Sequence, residues 1–359
     1  MIKKNRFFIL SVIILSVITL ILLLTNSTST FRKSHSDFAV DDTSNITKIF
    51  MADKNNDALK LEKKGPGKWI VNEQYPAQKA NVEMLLNTML QLEVKETVPK
   101  TAHNNIIRDL AATSVKVEIY QRVYRIDFWG IRLMPHEKLT KVYYVGGATQ
   151  SNRGSYMLME NSTEPFVVYM PGLRGFVSPR FTPIEKYWRD YSIFKTNILE
   201  IASVKMEFPS NPELSFEVNV SRDHRIRMIS LQDHAEIPLF DTLKVMNFLA
   251  SFRSVSFEAL LNDMDKHVKD SILSSPPFVI ISVTDTNKIT KTIRTYHKQG
   301  QHDAVDYNQQ PTPYDLDRLY ALVNDGKDFT LIQYFVFDRI LRPKTYFLKD
   351  EKRAPLKKK

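Results

Sequence analysis

The sequence predicts an α+β protein: one N-terminal transmembrane helix, then two repeated units of antiparallel β-sheet, each covered by an amphipathic helix. Three observations lead there. A run without charge stretches from Phe7 to Leu24, short β-branched segments recur through the rest of the chain, and their order in the first half returns in the second.

The eighteen residues from Phe7 to Leu24 would make a helix of roughly 27 Å at about 1.5 Å per residue, close to the hydrocarbon thickness of a bilayer. Ser11, Ser16 and Thr19 interrupt it, but a helical hydroxyl can bond the carbonyl four residues earlier. A cleaved signal peptide usually has a shorter apolar region and an Ala-x-Ala-like site; Ser27 and Ser29 offer only an imitation of one. A buried core helix would carry a polar stripe. The expectation is a retained anchor over 7–24, with residues 1–6 in the cytoplasm, because Lys3, Lys4 and Arg6 crowd that flank while Asp37, Asp41 and Asp42 follow the other. The body then lies outside the cytoplasmic membrane, in the periplasm of a bacterium. There is no Cys, so neither disulfides nor a lipid-modified Cys can replace the helix as anchor.

A polar spacer is expected over 25–45, leaving about 315 residues, enough for two domains. The formal charge is +10, of which the N-terminal cations supply +3 and the tail 349–359 (KDEKRAPLKKK), six cations against two acids, supplies +4. Only +3 is left for everything between, which argues against a nucleic-acid partner. The tail reads as a solvated end, with anionic lipid or envelope polymer as its alternative contact.

In the first unit, 46–178, ITKIFMAD, ALKLEKK and KWIVNE around a GPG turn predict a meander. ANVEMLLNTMLQLEV follows, with Val82, Leu85, Leu86, Met89 and Leu90 at helical spacing. A polar helical stretch near HNNIIRDLA precedes the strands SVKVEIYQ, YRIDFWG, KVYYVGG, SYMLME and FVVYM. Trp69, after GPGK, is expected to pack beneath the following helix. The second unit, 197–348, repeats the order: SVKMEFP, LSFEVNV, HRIRMISL, a helix PLFDTLKVMNFLASF, a polar helix MDKHVKDSIL, then FVIISVTD, ITKTIRTYHK, RLYALVN, FTLIQYF and VFDRIL. LLNTMLQL from Leu85 aligns with VMNFLASF from Val245, Asn87 against Asn247.

The run GKWIVNEQYPAQKANVEMLLNTMLQLE, followed by VGG, SYMLME and FVVYMPG, resembles the bacterial family carrying the domain of unknown function numbered 4340. The resemblance covers most of the extracytoplasmic part and departs at IRDLAATSVKV, where a Tyr-Gly-Leu element would commonly precede the strand. It implies a membrane-anchored envelope protein, in some members encoded beside ABC-2-type or gliding-associated transport systems, and it implies no functional residue.

Nucleotide, dinucleotide, serine-hydrolase and zinc-protease motifs are missing, and only ten Gly are present. Neither a cofactor nor a metal site is expected. Asp263 and His267 would share a helix face at four-residue spacing, but two ligands do not make a site. His302, Asp303 and Asp306 fall in a Gln- and Pro-rich loop. Asp127, beside Trp129 and Gly130, and Glu160 are carboxylates near strand ends, as glycosidases use. Between the units, the connector 179–196 interleaves aromatic residues with Arg; Arg180, Tyr187, Trp188, Arg189 and Tyr191 read either as packing between the repeats or as an exposed binding patch. The function these features favour is a non-enzymatic scaffold or accessory subunit of an envelope or transport complex, with an anchored hydrolase of an envelope glycan or peptide as the alternative.

Overall fold

A computed structural model of the chain describes residues 11–19, 36–129, 131–300, 305 and 309–349. Residues 11–19 are helical and exposed, and Thr19 Oγ1 donates to the Leu15 carbonyl at 2.8 Å, the back-bond that lets a hydroxyl sit in an apolar helix. Among the described residues no helix is long and apolar enough to cross a membrane. The expected span 7–24 runs past the described helix at both ends, and residues 1–6, 25–35 and 350–359 lie outside the described residues.

The chain is mixed α+β with antiparallel sheets and divides into two compact units at Asp190/Tyr191. The first begins earlier than its strands. Phe38 and Val40, inside the expected polar spacer, are each 1% exposed in the first core, and Val40 N–H bonds the Met89 carbonyl at 2.8 Å. Two apolar side chains in polar company are enough to draw 36–45 into the fold, since burial rewards them wherever a gap admits them. The strands and helices are β1 (Ile46–Ala52), β2 (Ala58–Gly65), β3 (Lys68–Val71), β4 (Tyr75–Pro76), α1 (Lys79–Leu90), β5 (Glu93–Thr97), α2 (Lys100–Thr113), β6 (Val115–Phe128), β7 (Ile131–Ala148), β8 (Ser155–Met159) and β9 (Phe166–Tyr169). Their sheet order is β4-β3-β2-β1-β6-β7-β8-β9-β5. The meander thus ends at one edge, and α1 carries the chain across the core face to the other.

In α1 the buried residues are Val82, Leu85, Thr88 and Met89. Leu90, expected inside, is exposed, and Thr88 takes a buried place. Its hydroxyl donates to the Met84 carbonyl at 2.7 Å and accepts from Arg180 at 2.8 Å, so the polar group is satisfied. Trp69 is buried in β3, in the same core. Gly146 in β7 has a packing role: a Cβ on it would lie 2.4 Å from Leu110 Cδ2, and Leu110 is the buried residue of α2. A larger residue there would force the Leu110 side chain to shift.

The second unit holds β10 (Ser192–Phe194), β11 (Ile201–Glu207), β12 (Phe216–Val220), β13 (Ile226–Ser230), α3 (Thr242–Ser251), β14 (Val255–Ser256), β15 (Ala259–Leu260), α4 (Lys266–Ser274), β16 (Val279–Asp285), β17 (Thr290–Gln299), β18 (Tyr314–Val323), β19 (Asp328–Gln333) and α5 (Tyr334–Phe337). β10 and β14 pair with each other; the main sheet runs β13-β12-β11-β16-β17-β18-β19-β15. With β4 set aside, this is the order of the first sheet strand for strand. The aligned positions in and just after these helices are buried in both units: Leu85 with Val245, Thr88 with Phe248, Met89 with Leu249, and, beyond the last turn, Leu92 with Phe252.

Three expectations need correction. SVKVEIYQ and YRIDFWG are one strand, and KVYYVGG is the end of an eighteen-residue strand that includes Pro135; proline is tolerated because β8 begins to pair with β7 only at Tyr143, leaving the outer edge there open. FTLIQYF ends as a strand at Gln333, and VFDRIL is not a strand but the end of α5 and the turn after it. Finally, β5 and β15, unforeseen, close the two sheets by pairing with β9 and β19.

Candidate interaction surfaces

The aromatic connector does not form one patch. Its residues to Asp190 belong to the first unit and those from Tyr191 to the second. Trp188 is 2% exposed in the first core, and its indole N–H donates to the Thr182 carbonyl at 2.8 Å. Arg189, also buried, sits over the Tyr75 ring, its guanidinium carbon 3.4 Å from the ring centre, and 3.7 Å from Glu185, which itself accepts from Asn72. Arg180 donates to Thr88 and to the Met170 sulfur. Tyr191 stacks on Phe257 at 4.5 Å against the second core. Of the five, only Tyr187, 53% exposed, faces solvent. Aromatic residues interleaved with Arg look alike in sequence whether the guanidinium meets water or a tyrosine ring.

The weighed acids do not converge. Asp127 sits near the tip of the β6–β7 hairpin, 3.7 Å from Arg132. Glu160 lies just after β8 and pairs at 3.5 Å with Lys116 near the base of β6. Eleven residues of one strand separate Lys116 from Asp127, roughly 35 Å at the strand rise, whereas a glycosidase pair stands within about 10 Å. Asp263 is in the turn before α4, not on it; the helix is capped by Asp265, whose carboxylate accepts from the His267 and Val268 N–H groups at 2.9 and 3.2 Å. His302, Asp303 and Asp306 lie outside the described residues. Among the described residues, no group of three or more His, Asp or Glu is arranged to hold a metal ion.

Two other features stand out. The first is a cleft of about 1040 Å³ in the second unit, lined by α5, the end of α3 and the start of β18. Phe335 stands 91% exposed at it, with Arg253 and Arg339 exposed on its lining. Arg318 is fixed by a two-pronged bond to Glu258, at 2.8 and 3.0 Å, and this bond holds the Glu258 carboxyl below its ordinary range. Burial pushes the neighbouring Tyr334 phenol up to about 12, so it stays protonated and can donate. An exposed aromatic ring among arginines, one of them pre-positioned, is the composition that dominates binding energy in protein interfaces. The sequence signal was present in YFVFDRILR, but its apolar spacing resembles that of a strand.

The second feature is the distal half of the β6–β7 hairpin. β1 follows β6 only to Gln121, yet β6 and β7 stay paired to Phe128 and Ile131. This leaves a two-stranded ribbon with Ile126, Trp129, Ile131, Leu133 and Met134 exposed. The corresponding β16–β17 hairpin turns just beyond Thr284 and Thr290.

No family model matches the chain, and no curated protein or solved structure is significantly similar to it.

Proposed function

We propose that the chain is a non-enzymatic, membrane-anchored extracytoplasmic protein that serves as scaffold or accessory subunit of an envelope or transport complex, holding a protein partner at the cleft of its second unit. The observation that carries this is Phe335, exposed among Arg253, Arg339 and the Glu258-locked Arg318. Such a site holds a partner by a desolvated ring and a fixed cation, without chemistry. The uncharged run 7–24 with its basic flank supports anchoring in the cytoplasmic membrane with the body in the periplasm. The resemblance to the family with the domain numbered 4340 supports the same placement. The common strand order of the two sheets supports an origin by duplication of one α+β unit.

The test is co-purification from detergent-solubilised membranes of the native host. Phe335→Ala and Arg339→Glu should each leave the denaturation midpoint unchanged and remove the same discrete partner that the wild-type chain retains. Retention of that partner by both variants would overturn the assignment of the cleft.

A further inference from the structure

Among the described residues no third strand pairs with the distal β6–β7 ribbon, and apolar residues stand at its end. Seven residues of β6, Arg122 to Phe128, extend past the last pairing with β1, which at about 3.3 Å each projects the tip roughly 23 Å from the sheet. The register sets Tyr124 opposite Pro135 and Ile126 opposite Leu133, with Phe128 and Ile131 next. Residues directly opposite share a face, as do alternate residues along one strand, so Ile126, Ile131 and Leu133 fall on one side. Trp129 occupies the turn, 92% exposed. A lone ribbon is marginal in water, and a contiguous apolar tip on it marks a contact surface.

Charge identifies the contact. Arg122, Arg125 and Arg132 are all exposed, and Asp127 is the one carboxylate between residues 122 and 136; it faces Arg132. A tryptophan at the end, branched apolar residues behind it and arginines alongside suit the boundary between headgroups and acyl chains of an anionic bilayer. The chain path agrees. Ile46, at the start of β1, pairs with Gln121 at the ribbon's base, Gln121 Nε2 donates to the Asp42 carbonyl at 3.1 Å, and Asp37 pairs with Lys141 at 2.9 Å. The segment that leads from the expected anchor therefore meets the sheet where the ribbon leaves it. Eleven residues, 25–35, separate Leu24 from the described chain and reach at most about 40 Å, which keeps the bilayer within range of the ribbon.

We propose that the ribbon tip is a second membrane contact, in which Trp129, Ile126, Ile131 and Leu133 enter the surface of an anionic bilayer while Arg122, Arg125 and Arg132 meet its phosphates. This rests on the anchored reading above. It gives the first unit two attachments and thus a fixed orientation on the membrane, leaving the second unit to present its cleft.

The experiment uses the full chain reconstituted into vesicles of phosphatidylethanolamine and phosphatidylglycerol whose acyl chains carry bromine, a contact quencher of tryptophan. Trp69 and Trp188 are buried, so the emission lost on Trp129→Phe isolates Trp129. The expected result is loss of most of that component in brominated vesicles, and its recovery when phosphatidylglycerol is omitted or when Arg122, Arg125 and Arg132 are changed together to Gln. Trp129 emission left unquenched in a chain that floats with the vesicles overturns the ribbon contact and leaves the anchor standing. A chain that does not float overturns both. A concentration-dependent blue shift of Trp129 without vesicles, with no quenching in them, assigns the tip to a second copy of the chain and likewise overturns the proposal.

Discussion

The two units share a strand order but differ in what fills the core, what covers the outer face and what protrudes. At one aligned helix position the first unit buries Thr88 and the second Phe248. Phe248 packs with Phe252, Phe216 and Phe347, ring centres 5.2 to 5.9 Å apart, while Thr88 needs the Arg180 guanidinium as a donor. The outer face of the first sheet carries lysine–glutamate pairs, Lys48 with Glu137 at 2.7 Å, Lys64 with Glu62 at 2.8 Å and Lys116 with Glu118 at 2.9 Å. The second carries hydroxyl pairs, Ser282 with Thr292 and Thr284 with Thr290, both 2.9 Å, and among them one lysine–glutamate pair, Lys205 with Glu207, also 2.9 Å. The topology survives all of this because it depends on the spacing of packing positions and not on the residues that occupy them.

The largest expected effects are truncations in the two cores. Phe248→Ala should cost about 3 to 5 kcal/mol in the second unit, and Trp188→Ala about as much in the first. If chemical denaturation leaves the midpoint unchanged for Trp188→Ala, the packing account of 181–190 is wrong and that segment becomes a binding surface.

Next comes the polar counterpart of Phe248. Thr88→Ala removes the acceptor of the part-buried Arg180 donor and should cost about 1 to 3 kcal/mol, less than Phe248→Ala; equal losses would erase the distinction between a ring-filled core and one with a polar link.

Acid should separate the units. His297 lies between the rings of Phe278 and Tyr314, 4.3 and 4.1 Å away, and burial holds its imidazole below the ordinary 6.5. A lowered folded value means that the unfolded chain takes up the proton first, so stability is whole above about 6.5 and falls as pH drops toward the folded value. Glu62 and Glu137 in the first unit are lowered chiefly by Lys64 and by Lys48, from 4.5; burial opposes the shift at Glu118, but its bonds to Lys116 and Tyr120 prevail. Their contribution is whole above about 4.5 and is lost only below it. In a denaturation series at stepped pH the second unit should weaken first, and His297→Phe should abolish that early step. Persistence of the step in the variant would assign it elsewhere.

The smallest effect is at the exposed end of the connector, where Tyr187→Ala should change stability by no more than about 0.5 kcal/mol. A larger loss would show that Tyr187 packs against something.

How much of this was legible follows from periodicity. The meander, both covering helices and the order of the second half were readable because period-two and helical spacing are imposed by burial itself. The edge strands were not: Glu93–Thr97 is mostly exposed and carries no alternation to read. The ribbon was hidden because QRVYR and MPHEK interrupt the apolar pattern just where the hairpin leaves the body and burial no longer shapes sequence. The cleft was missed for a related reason: the exposure of Phe335 is a property of where α5 turns, and nothing local to YFVF encodes it.

Together the two proposals assign a lipid contact to the first unit and a protein contact to the second. Photo-cross-linking in intact membranes tests this assignment directly, with p-benzoylphenylalanine placed at Phe335 in one variant and at Trp129 in another. A discrete protein adduct is expected from position 335 and, from position 129, adducts with phospholipid. A protein adduct from 129 together with none from 335 would contradict it.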